Sequence, residues 1–176
     1  PDPLVKIEGL TRRFDVSKPW LNRVIERDDK QFLTANADVS FEIAKGETFA
    51  LVGESGSGKS TIGRMLVGLL PATRGEIELF GETITGPGGK QALARVRHKL
   101  QFVFQDPHAA MNPRMRISDI IAEPIDIRGG WSRKDRADRV AELLELVGLS
   151  AAFADRFPHE FSGGQRQRIV IARALA

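Results

Sequence analysis

The chain has 176 residues, 41% hydrophobic and 28% charged, which is enough apolar material for one domain with a small subdomain. Its 26 basic and 23 acidic residues leave a net charge of +3, a nearly balanced surface that argues against a nucleic-acid stripe. Cysteine is absent, which excludes a disulfide framework, a thiolate metal site and a cysteine nucleophile within these residues, and no apolar run approaches the roughly 20 residues that span a bilayer.

The chain begins Pro1-Asp2-Pro3, with no initiating Met and no signal-peptide pattern, and is read as a fragment. Leu4 to Leu10 alternates like a half-exposed strand and runs into the basic, aromatic Thr11-Arg12-Arg13-Phe14. Asp15 to Lys30, dense in charge and broken by Pro19, reads as an exposed excursion in which Trp20 and Leu21 pack locally. Val39 to Ile43 alternates again, and Lys45-Gly46 turns the chain into Glu47 to Val52. The apolar end of that stretch predicts a strand buried on both faces of a parallel sheet.

Gly53-Glu54-Ser55-Gly56-Ser57-Gly58-Lys59-Ser60-Thr61 then fills every position of the phosphate-cradling pattern G-x-x-x-x-G-K-[ST]. Its glycines let successive backbone N–H groups turn inward around a phosphate. The loop feeds a helix whose free N–H groups and positive dipole end favour an anion. Lys59 supplies a mobile charge for the β- and γ-phosphates, and the Ser60 hydroxyl suits Mg²⁺. Ile62, Met65, Leu66 and Leu69 form the apolar stripe of the helix that follows.

Pro71 to Gly75 is turn chemistry, Glu76 to Gly81 an edge-type strand, Gly86 to Gly89 a loop and Lys90 to Lys99 a short basic helix. Leu100 to Phe104 predicts a buried strand that ends at Gln105-Asp106-Pro107, because proline cannot continue it. From His108 the texture turns helical, with Asn112-Pro113 and Pro124 separating short pieces. Ser132 to Val147 is a clear helix: Ser132 with Asp135 resembles a capping box, Val140, Leu143, Leu144 and Val147 form the stripe, and Gly148 terminates it.

Ser162-Gly163-Gly164-Gln165 precedes a last helix-compatible run, and the Ser162–Gln165 spacing makes Ser162 its N-cap. Two glycines in a first helical turn carry a cost that makes sense where an anion approaches the backbone closely. His98, His108 and His159 lie in unrelated surroundings and form no metal set.

With Gly53 to Thr61 as Walker A, Gln105 as the Q-loop and Ser162 to Gln165 as the signature motif, the chain resembles an ABC-type ATPase over nearly its whole length. Phe102 to Pro107, Met111 to Met115 and Pro158 to Arg168 resemble, more narrowly, the ATP-binding subunits of dipeptide and oligopeptide importers. The resemblance implies an α/β P-loop nucleoside triphosphate hydrolase fold of the ABC type, with an N-terminal antiparallel β region and an inserted helical subdomain. The implied division of this single, incomplete nucleotide-binding domain is an ATP-binding core over 4–107, a helical subdomain over 108–160, and the signature motif with its helix over 161–176.

Its implied ligands are ATP and Mg²⁺. Phe14 stands where most relatives carry a Tyr that stacks on adenine, Glu54, Ser55, Ser57 and Thr61 belong to the loop around the phosphates, and Gln105 approaches Mg²⁺ and the attacking water. Ser162 and Gly164, with Gly163 and Gln165 in the same motif, contact the γ-phosphate bound by a second subunit, in a homo- or heterodimer. Implied partners are that second ATP-binding subunit and integral membrane permease subunits, at the cytoplasmic face of the membrane, with no nucleic acid. The family's Walker B Asp and catalytic Glu follow the signature helix and are absent from these residues, so this fragment alone is expected to turn over little or no ATP. The rival readings are a soluble, non-transport ABC protein acting as a nucleotide-controlled clamp and, disfavoured by Ser162 to Gln165, a P-loop kinase.

Overall fold

The computed structural model describes residues 3–17 and 29–176, apart from the His108 side chain. The excursion around Trp20 and Leu21 lies outside the described residues. Contacts divide the chain into two compact units, Pro1–Leu100 and Gln101–Ala176.

In the first unit β1 (Val5–Asp15), β2 (Phe32–Ile43), β3 (Arg74–Leu79) and β4 (Glu82–Thr83) form one sheet of order β2-β1-β3-β4, antiparallel at every pairing. Ile7 and Leu10 lie three apart, so a regular strand would send them to opposite faces. The register shift between them, with Gly9 at φ +58°, lets both enter one core with Ile77 and Leu79. Helix α1 (Lys59–Leu66) adds Ile62 and Met65 to that core, and α2 (Gly89–Val96) adds Val96. Each such side chain contributes about 1.5–3 kcal/mol on burial. The stripe predicted for α1 stops short. Gly68, at φ +72°, donates to the Met65 carbonyl and ends the helix, leaving Leu69 exposed.

The parallel strand expected over Glu47–Val52 is not formed. The segment pairs with none of the four strands, and a strand without a hydrogen-bonded neighbour has no ladder to define it. Val52 is 90% exposed. The turn leading into it does form: Glu47 donates to the Ala44 carbonyl, and its carboxylate accepts from the Ala44 N–H at 2.7 Å.

The second unit is helical: α3 (Pro107–Ala110), α4 (Ile117–Arg128), α5 (Arg133–Leu146) and α6 (Gly163–Ala174), with 3₁₀ turns at Ala151–Asp155 and Pro158–Glu160. Its core joins Ile117, Ile120 and Ile121 of α4, Val140, Leu143 and Leu144 of α5, and Ile169 and Val170 of α6. Leu100 to Phe104, expected as a strand, takes no regular structure for the same want of a partner, and Val103 and Phe104 are exposed. Pro124, expected to separate short helices, sits inside α4. An internal proline costs about 3 kcal/mol. Burying Ile117, Ile120, Ile121 and Ile125 on one helix offsets it. Among the described residues no helix is long and apolar enough to cross a membrane.

Candidate functional site

The loop 53–58 curls back on itself before entering α1. Ser57 donates its N–H to the Glu54 carbonyl at 3.2 Å, and Gly56 and Gly58 take left-handed φ of +85° and +91°. Gly58, the N-cap of α1, is glycine for two reasons. Its φ disfavours a side chain, and a Cβ there would collide with the Ala35 carbonyl and the Asn36 amide. Lys59 reaches into the loop: Nζ donates to the Gly53 carbonyl at 2.7 Å, the Glu54 carbonyl at 2.5 Å and Ser57 Oγ at 3.1 Å. Those oxygens are neutral, so they offset the ammonium charge only through dipoles, and an anionic oxygen in the same cradle is a stronger partner. The first turn of α1 holds no acidic residue, so nothing on the helix cancels the positive end of its dipole. Ser60 and Thr61 occupy that turn, with Ser60 exposed, while Glu54 and Ser55 lie exposed on the loop.

β2 supports the loop from below. Asn36 is buried at 6% exposure and donates from Nδ2 to the Gly58 carbonyl at 3.3 Å. Its cross-strand partner on β1 is Arg12, whose guanidinium lies 4.5 Å from the centroid of the Phe14 ring and donates to the Pro71 carbonyl. One face of the half-buried Phe14 ring is thereby covered by Arg12. Asn36 and Arg12 carry no recognisable motif. The hydrogen bond to Gly58 ties Asn36 to the loop, and the ladder places Arg12 beside Asn36.

In the second unit Gln105 is exposed, two residues before α3. Ser162 caps α6 as its spacing predicts: its Oγ accepts from the Gln165 N–H at 3.3 Å, and Gln165 Oε1 accepts from the Ser162 N–H at 3.0 Å. A Cβ on Gly163 or Gly164 would meet nothing within 4 Å, and neither residue has the positive φ that favours glycine. Packing within the described residues therefore gives no reason for two glycines in the first turn of a helix, where they cost about 1 kcal/mol each relative to Ala. That turn also lacks acidic residues.

A glycine loop wrapped around a lysine at a helix N-terminus, and a second helix opened by a capped pair of bare glycines, define a phosphate-loop α/β protein of the ATP-binding cassette kind. The family model described as ABC transporter matches residues 36–176, and the chain belongs to that family.

Over 176 residues, 99% of the chain, it is 58% identical to 51% of a Brucella abortus ATP-binding protein assigned by its name to peptide import. It is 56% identical over 79% of its length to 46% of the oligopeptide transport ATP-binding protein OppF of Bacillus subtilis. With the glutathione import ATP-binding protein GsiA of Escherichia coli, the identity is 50% over 99% of the chain and 27% of that protein. The chain thus spans about half the length, or less, of these relatives. Among solved structures, a dimeric ATP-binding cassette in a post-hydrolysis state bound to ADP and Pi matches with a TM-score of 0.82 at 30% identity, covering 98% of this chain and 69% of that one. A dimeric bacterial ABC transporter cassette matches at 0.81.

Proposed function

We propose that these residues are the nucleotide-binding part of the ATP-hydrolysing subunit of a membrane importer for peptides or similar small solutes. The observation that carries the nucleotide reading is the phosphate loop, with Lys59 held among neutral carbonyl oxygens at an uncompensated helix N-terminus. The importer reading rests on relatives named for peptide import, oligopeptide transport and glutathione import.

In this account Lys59 exchanges its bonds to Gly53, Glu54 and Ser57 for the β- and γ-phosphate oxygens, and the N–H groups of the loop and the first turn of α1 close around them. Phe14 stacks on the adenine. Mg²⁺, when bound, neutralises charge on the β- and γ-phosphates. The exposed Ser60 hydroxyl and the Gln105 side-chain carbonyl are neutral oxygen donors that suit such a hard cation, and Gln105 also orients the attacking water.

Ser162, Gly163, Gly164 and Gln165 face the nucleotide of a second subunit, whose γ-phosphate supplies the close approach that the bare glycines leave room for. ATP closes the dimer, hydrolysis reopens it, and the motion passes to integral membrane permease subunits at the cytoplasmic face.

The test is Mg-ATP turnover by the full-length protein. Hydrolysis that Lys59→Ala removes supports the reading; hydrolysis indifferent to Lys59, or transfer of the γ-phosphate to a small acceptor instead of water, contradicts it.

A further inference from the structure

Arg173 occupies the last turn of α6, about 16 Å along the axis from the Ser162 cap. Its Nη1 donates to the main-chain carbonyl of Ala110 at 2.7 Å, and its Nη2 lies 2.6 Å from the carboxylate of Glu123 on α4. Ala110 closes α3, the four-residue helix that begins two residues after Gln105. So short a helix cannot hold its own position and takes it from whatever grips it. The chain on the other side of Gln105 meets the same place: Phe102 and Phe104 share a cavity of about 140 Å³ with Val170, Arg173 and Ala174. The downstream flank of Gln105 is thus bonded to one end of the helix whose other end carries Ser162, Gly163 and Gly164, and the upstream flank lines a cavity at that same end. All these contacts lie within the second unit.

We propose that Arg173 is a positioning residue for Gln105. Its planar fork fixes the 101–110 segment to α6 and α4 at once, so that a displacement of the signature helix is delivered to the glutamine. A lysine offers a point charge and cannot reproduce two donors in fixed, divergent directions. The inference rests on the reading that Gln105 acts at the nucleotide.

The experiment is a mutant cycle in the full-length protein, comparing wild type, Arg173→Lys, Gln105→Ala and the double variant. ATP dissociation constant, kcat for Mg-ATP and melting temperature are measured for each. Arg173→Lys is expected to lower kcat about tenfold with little change in ATP affinity, because a small misplacement of an orienting group is costly. In the Gln105→Ala background the same change is expected to lower kcat less than about twofold, the non-additivity of two residues that act as one. Glu123→Gln, which keeps the shape and loses the charge, runs through the same cycle and stands in where Arg173→Lys does not fold. Full additivity with Gln105→Ala, or an effect confined to melting temperature, overturns the proposal. Wild-type protein that hydrolyses no ATP overturns the underlying functional reading as well, which distinguishes the two failures.

Discussion

Asn36 on β2 donates a hydrogen bond to the carbonyl of Gly58, the residue that caps α1, so the antiparallel sheet grips the phosphate loop at its exit. The same strand leaves no room for a side chain at Gly58. Gly58→Ala is therefore expected to cost about 2–3 kcal/mol, from a left-handed φ and a steric collision together. Gly56→Ala shares the positive φ but faces open space and is expected to cost only about 1 kcal/mol. Urea unfolding of both variants checks this, and equal losses would count against it.

Lys59→Ala removes a side chain that donates three hydrogen bonds into the loop. ATP affinity is expected to fall at least tenfold while the melting temperature moves little, because the lost partners, two main-chain oxygens and the Ser57 hydroxyl, are exposed and water satisfies them. Calorimetric titration with ATP and a thermal scan separate the two effects.

What was legible in the sequence is what local chemistry decides. The Ser132 N-cap, the reciprocal Ser162–Gln165 box, the phosphate loop and the Lys45-Gly46 turn each depend on residues within a few positions of one another, and each formed; the Asp135 carboxylate takes the Ser132 hydroxyl instead of its N–H, so that box stays half made. Glu47 to Val52 and Leu100 to Phe104 failed as strands because strand identity is a property of a pair, and a lone apolar run cannot show whether a partner lies beside it. β2 begins at Phe32, well before the alternation at Val39, because β1 provides its ladder through several register shifts. Arg173 was invisible for a related reason: its hydrogen-bond acceptor lies 63 residues away.

Ser162→Ala deletes one half of a reciprocal cap and is expected to destabilise α6 by about 1 kcal/mol. Ser162→Asp restores the acceptor and the stability, yet places a carboxylate where a γ-phosphate is proposed to sit. Chemical unfolding should thus rank Asp near Ser, while turnover by the Asp variant falls with that of Ala. Turnover by Ser162→Asp equal to wild type would argue against the role proposed for this turn.

Arg136 on α5 grips Asp126 of α4 through two bonds of 2.8 and 2.9 Å and reaches Asp119 at 3.1 Å. The side-chain hydrogen bond from Arg136 holds the Asp126 carboxyl below its usual range. A depressed folded-state pKa stabilises above the unfolded value, near 4, and that stabilisation is lost as pH falls through the folded value. Asp126 is about half exposed and the pair is solvent-screened, so Asp126→Asn is expected to cost only about 0.5 kcal/mol. Unfolding curves should show that difference constant from pH 8 to about 5 and shrinking below about 4. A difference that persists unchanged at pH 3 would contradict the assignment.

The central claim is tested most directly by extracting the full-length protein from membranes in mild detergent, reconstituting what co-purifies into vesicles, and measuring uptake of a labelled short peptide with and without ATP on the nucleotide-binding side. The account predicts that polytopic membrane subunits co-purify and that uptake requires ATP and is lost in Lys59→Ala. Recovery of the protein alone, or with ribosomes or DNA-binding proteins, together with ATP hydrolysis that drives no uptake, would contradict it and point to a soluble nucleotide-controlled clamp.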